Sequence, residues 1–223
     1  RKPDFRNIRS IDYDRYWQAR GFAINKKLKE REEIILSLIK EGERVVDFGC
    51  GNSLLPIKLK AKGVVVSVGD ISSEVIKGYF QHQIMGEVIN LEDISDSQIS
   101  GPYDVIILSE VLEHTRNPEE IILCLKDKTN RFVLSIPNSA FYRYRLHLMF
   151  RGRFFTQWVY HPSEHLRFWS HIDFLDWLEA LDLTVTKVIP SNGFSLFGLL
   201  PQLKNWWPNL FGHQIVYLCQ TKK

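Results

Sequence analysis

A buried strand that ends in a glycine turn, with an acid at the end of the next strand, constrains this chain more than any other feature. Arg44–Phe48 is apolar apart from Arg44 and Asp47 and runs directly into Gly49-Cys50-Gly51-Asn52. Glycines after a buried strand let the backbone turn sharply and let a ligand approach closely. Asp70 closes the next strand-like run, 19 residues after Gly51 (70 − 51). In a doubly wound sheet that spacing sets a carboxylate beside the glycine turn, able to accept hydrogen bonds from both hydroxyls of a ribose.

The rest of the chain supplies the sheet. Val64–Val68, Val88–Ile89, Val105–Leu108 and Phe132–Ile136 are short Val- and Ile-rich runs, several apolar on both faces. Buried parallel strands read this way. Helical stretches separate them, and Asn117, Pro118 and Glu120 mark one helix start. Residues 26–41 read as an amphipathic helix stopped by Gly42. Another is expected after the cap-like Ser170, and Leu183–Ile189 and Gln214–Cys219 read as two more strands. The expectation is one α/β domain over 1–223: a Rossmann-like, doubly wound, mostly parallel sheet of seven strands. Within it, 1–42 holds N-terminal helices at the substrate opening. Residues 44–137 form the cofactor core, and 138–170 form an aromatic and basic lid after the fifth strand.

Composition narrows the partners. A net charge of +3 on 223 residues is too mild to favour nucleic acid. No apolar run approaches the roughly 18 residues that span a bilayer, and no signal peptide precedes the first helix. Cys50, Cys124 and Cys219 lack zinc-type spacing and read as reduced thiols, which implies a cytoplasmic protein. Residues 139–163 carry Arg143, Arg145, Arg151 and Arg153, eight aromatic side chains and no acid. That stretch reads as a packed lid, a substrate wall, or, over 141–160, a contact with an anionic membrane surface.

A nicotinamide dinucleotide site, and with it an NAD-dependent oxidoreductase, competes for the glycine turn. The third glycine of such sites is absent, since Ser53 and Leu54 follow Asn52. Asp47 precedes the glycines and would repel a phosphate, whereas it would attract an ammonium or sulfonium.

Val45-Val46-Asp47-Phe48-Gly49-Cys50-Gly51 resembles the first motif of class I S-adenosylmethionine-dependent methyltransferases. Val68-Gly69-Asp70-Ile71-Ser72 resembles their second, and Tyr103 to His114 their strand-and-turn motif. The resemblance implies S-adenosylmethionine as cofactor. Asp47, Gly49, Cys50 and Gly51 would face its methionine part, and Asp70 and Ile71 its ribose. Asn90, Leu91 and Glu92 would lie near the adenine, and Ser109 and Glu110 would border the methyl group. His165 to Ser170 resembles the His-x-Arg-x-x-Ser element that precedes the last core helix of many small-molecule methyltransferases. A small-molecule acceptor follows, such as a sugar, quinone or lipid-linked precursor.

Tyr16, Trp17, Arg20, His114, Tyr142 and Arg143 are the expected substrate contacts. His165 is the expected general base for O-methylation, with His161 and Glu164 as weaker alternatives. Pro162 argues against one helix presenting both His161 and His165, so no metal site is expected from that pair. Ser135-Ile136-Pro137-Asn138, Tyr144-Arg145-Leu146 and Pro208-Asn209-Leu210-Phe211 are similar to MetW proteins of methionine biosynthesis. That likeness allows a noncatalytic partner of a biosynthetic enzyme. Tyr13 to Gly21 departs from it and looks like the substrate-side helix of stand-alone enzymes.

Overall fold

The computed structural model describes residues 12–93, 99–153, 165–194, 200 and 202–222. Seven strands lie in one sheet: β1 (Arg44–Phe48), β2 (Val65–Asp70), β3 (Met85–Val88), β4 (Val105–Ser109), β5 (Arg131–Pro137), β6 (Leu183–Ser191) and β7 (Gln214–Thr221). Their order is β3-β2-β1-β4-β5-β7-β6. The first five are parallel, and β7 runs antiparallel to both β5 and β6. The expected seven-stranded, mostly parallel sheet is therefore present.

Side-chain parity builds the two layers. Val46 and Phe48 of β1 join Ile106, Leu108, Phe132 and Leu134 on one face. That face is covered by α5 (Pro118–Lys126) through Ile121 and Leu125, and by α7 (His171–Ala180) through Phe174 and Leu178. Val45, Val105, Ile107 and Val133 point the other way. They meet Ile35 and Ile39 at the end of α2 (Glu30–Leu38), and Leu55 and Leu59 of α3 (Leu55–Ala61). Successive strand residues alternate faces, so a strand clad on both sides must be apolar throughout. The strand order reverses between β1 and β4, the switch point where open α/β sheets bind ligands.

Several boundaries differ from the sequence expectation. Helix α2 begins at Glu30 rather than 26, because the Glu32 carboxylate accepts the Lys29 amide at 2.9 Å and fixes the start there. Strand β2 extends to Asp70, and β3 ends before Ile89. Ser170 caps α7 as expected, in a reciprocal pair with Asp173 at 3.1 Å each way. Asn117 precedes Pro118 at the start of α5, but its side chain makes no capping bond.

Helix α6 (Tyr142–Arg151) was not legible in the aromatic-rich stretch. Of its own residues only Tyr144 is buried, while Leu146, Leu148, Met149 and Phe150 are exposed beside its arginines. It presents no single apolar stripe, so no helical period shows. Gly152, left-handed at φ 60°, ends it by donating to the Leu148 carbonyl at 2.9 Å. The remainder of the expected lid and membrane-facing segment, 154–164, lies outside the described residues. No helix among the described residues is long and apolar enough to cross a membrane.

Asn138, fully buried just after β5, ties this region down. Its amide donates to the carbonyls of Gly212 at 2.8 Å and Asn209 at 3.1 Å, and its oxygen accepts from Ala140 and His171. Two motifs 70 residues apart, Ser135–Asn138 and Pro208–Phe211, are thereby joined.

Candidate cofactor and substrate cleft

A cleft of about 320 Å³ opens at the carboxyl edge of β1, β2 and β4. Gly49 and Gly51 form its floor, with Gly69, Asp70 and Ile71 from the end of β2. Ile89, Asn90, Leu91 and Glu92 follow β3, and Glu110, Val111, His114 and Thr115 follow β4. Tyr13, Tyr16 and Trp17 of α1 (Tyr13–Arg20) close it from above.

The glycine requirement is steric. Gly49 has φ 68°, and a Cβ there would sit 2.4 Å from Val111 Cγ2. A side chain would need both a left-handed backbone and a displaced cleft wall. Asp70, only 8% exposed, is locked in place by two backbone donors. The Gly51 and Ser72 amides each donate to one of its oxygens at 2.9 Å. Burial pushes its carboxyl pKa up, and these amides oppose the shift. Since each carboxylate oxygen accepts two bonds, Asp70 keeps acceptor capacity toward the cleft.

Glu110 stands at φ 59°, a left-handed conformation that costs a non-glycine residue about 1–3 kcal/mol. It is held by its amide bond to the Ser135 carbonyl, by Gln214 Nε2 at 2.6 Å and by Arg31 at 3.5 Å. Its Oε1 is buried without a hydrogen-bond partner. Beneath the glycine turn, Asp47 points to the α2 face by strand parity. Burial, the Glu32 carboxylate and Asp70 raise its pKa to about 8, against the pull of Arg31.

Past Glu110, the chain turns through Leu112–His114. The Glu113 side chain is 1% exposed, and neither carboxylate oxygen has a hydrogen-bond partner. A buried polar group left so costs about 1–3 kcal/mol, more when charged. Burial and the nearby Glu110 carboxylate hold its pKa well above the usual range. The Glu113 carbonyl accepts from Leu166 at 2.7 Å and Arg167 at 3.1 Å, which seats His165 against the turn. The His165 and His114 rings lie 4.7 Å apart, edge to face. Burial and His114 lower the His165 pKa to about 4.

The sequence-predicted residues divide accordingly. Gly49, Gly51, Asp70, Ile71, Asn90, Leu91, Glu92 and Glu110 line the cleft, as do Tyr16, Trp17 and His114. Asp47, Cys50 and Ser109 do not. The Cys50 side chain packs against Val68, Val75, Ile76 and Tyr79, where burial pushes its thiol up. The Ser109 hydroxyl shares a bond with that of Ser135 at 2.9 Å. Tyr142 packs edge to face against Phe141 and Phe194, and Arg143 donates to the Tyr142 hydroxyl at 3.0 Å; neither lines the cleft. His165 lies just behind His114. His161, Glu164 and the side chain of Arg20 are outside the described residues. Tyr13, Gly69, Ile89, Val111 and Thr115 also line the cleft without being expected contacts, although Tyr13, Gly69 and Val111 fall within the helix and motifs the sequence offers. For Tyr13 the signal was present: it stands three residues before Tyr16, on the same helix face.

The fold recurs in solved methyltransferases. Magnesium protoporphyrin IX methyltransferase from Synechocystis, crystallised with S-adenosylhomocysteine, superposes with a TM-score of 0.58 at 16% identity, covering 94% of each chain. A SAM-dependent methyltransferase from Thermotoga maritima gives 0.63 at 13% identity over 95% of each. The small RNA methyltransferase HEN1 gives 0.59 at 18%, over 87% of this chain and 25% of its own. No curated protein sequence matches this chain. The family model of the methionine biosynthesis protein MetW does match, over residues 29–219, and the chain belongs to that family.

Proposed function

We propose that the cleft binds S-adenosylmethionine and that the protein transfers a methyl group from it to an oxygen of a small-molecule acceptor. The observation that carries this reading is the pairing of a two-glycine floor with the fixed Asp70 carboxylate at the sheet's switch point. The site fits the group. Gly49 lets the turn pack directly against Val111 at the cleft wall with no side chain between them, and Glu110 offers an unpartnered buried oxygen at that wall.

When bound, the cofactor supplies a methyl group already activated by its sulfonium. The protein's task is then alignment and exclusion of water. Asp70 accepts the ribose hydroxyls, while Asn90, Leu91 and Glu92 border the adenine. Glu110 gives the methionine end a negative field; the buried Asp47, its pKa raised to about 8, adds to that field only where a cationic ligand group favours its ionised form. Tyr16 and Trp17 cover the cleft and shape the acceptor side. With a pKa of about 4, His165 is neutral at pH 7 and a weak proton acceptor, which leaves little of the general-base role expected of it.

The test is turnover with acceptors that carry hydroxyl, amine or activated carbon groups, followed by identification of the methylated atom. An O-methyl product is expected; an N- or C-methyl product overturns the oxygen assignment. Cofactor binding with no transfer to any acceptor class would favour the noncatalytic partner instead.

A further inference from the structure

Glu113, His114 and His165 form a cluster that the methyl-transfer reading does not use. One ligand atom from each lies within 4.8 Å of the other two. His114 belongs to the cleft wall, and Glu113 is buried immediately behind it. The cluster is built rather than incidental. The two amide bonds from Leu166 and Arg167 to the Glu113 carbonyl bring a histidine from 52 residues away (165 − 113) against the turn. The Arg167 side chain reinforces this through the Arg116 carbonyl at 2.5 Å and Glu119 at 3.8 Å. Both oxygens of the buried Glu113 carboxyl remain without a hydrogen-bond partner. His114 Nε2 lies 3.9 Å from Oε1, too far for a hydrogen bond, and a buried carboxyl is otherwise paired, bound to a metal or kept protonated.

We propose that Glu113, His114 and His165 bind a divalent first-row transition ion at the wall of the cleft. Two imidazoles and a carboxylate suit zinc, cobalt or manganese rather than calcium, which takes oxygen ligands only. Metal–ligand distances of about 2.0–2.2 Å place ligand atoms roughly 3–3.5 Å apart. An ion therefore draws the three side chains together by about an ångström. Three protein ligands leave a coordination position open, as in catalytic rather than structural sites. Because His114 lines the cleft, that position is available to an acceptor oxygen, which the ion would hold and make more acidic. The acceptor role rests on the methyl-transfer reading; ion binding does not.

The test is titration of the chelator-treated full chain with cobalt(II), read by visible absorption, with zinc as competitor. One equivalent should bind and be displaced by zinc. Glu113→Gln and His165→Ala should each lower cobalt affinity about tenfold or more. Far-UV circular dichroism and S-adenosylhomocysteine binding should be retained in both. No cobalt bound by the wild-type protein, or equal binding by both variants, overturns the site. Cobalt bound as expected without any S-adenosylhomocysteine binding upholds the ion site and counts against the methyl-transfer reading.

Discussion

Replacing Asp70 with alanine is expected to lower affinity for S-adenosylhomocysteine on the order of 100-fold to 10,000-fold. The carboxylate is proposed to accept both ribose hydroxyls, and charge-assisted bonds of that kind are worth about 1.5–3 kcal/mol each. The structure adds a second route to the loss. Asp70 also holds the Gly51 amide at 2.9 Å, so alanine frees the glycine turn as well as removing the charge. Asp70→Asn separates the two, because it keeps an acceptor oxygen while losing the charge, and should fall between wild type and alanine. Calorimetric titration reads the effect, with circular dichroism to verify the fold. Unchanged affinity in a folded alanine variant would remove Asp70 from the cofactor site.

Asp47→Asn should act in the opposite direction, on stability. The Asp47 carboxyl titrates near 3.9 in an unfolded chain and at about 8 in the folded protein. Between those values the native state keeps a proton that the unfolded state has released. Stability from this group is thus full below about pH 4 and declines by about 1.4 kcal/mol per pH unit until about pH 8. Glu32 and Asp70 raise the pKa and Arg31 lowers it, so the field of all three sets the upper limit. Asparagine has the same shape and no proton to lose. The variant should unfold at higher urea than wild type at pH 8, with the gap closing as the pH falls toward 4. An equal or lower midpoint at pH 8 contradicts the buried, protonated carboxyl. Natural retention of the aspartate at such a cost fits a functional role, in which a cationic ligand group favours its ionised form.

The parts of this site that sequence revealed are those fixed by local backbone geometry. A strand followed by glycines has one way to turn, and Asp70 ends the neighbouring parallel strand, so both reach the cleft. Side-chain direction was less legible. Asp47 shares the parity of Val45 and faces α2, and the turn sends Cys50 into the core around Tyr79. Long-range pairing left no periodic trace at all. The meeting of Glu113 with His165 depends on two backbone hydrogen bonds between distant segments. Helix α6 leaves no amphipathic pattern in the sequence because its exposed sides carry Leu146, Leu148, Met149 and Phe150.

The central claim is that the cleft beside Asp70 takes S-adenosylmethionine. Calorimetry of the full chain with S-adenosylhomocysteine and, separately, with NAD tests it most directly. Saturable binding of S-adenosylhomocysteine at one site per chain, weakened by Asp70→Ala, with no heat from NAD, is the predicted result. Binding of NAD in its place would contradict the account and return the glycine turn to a dinucleotide site.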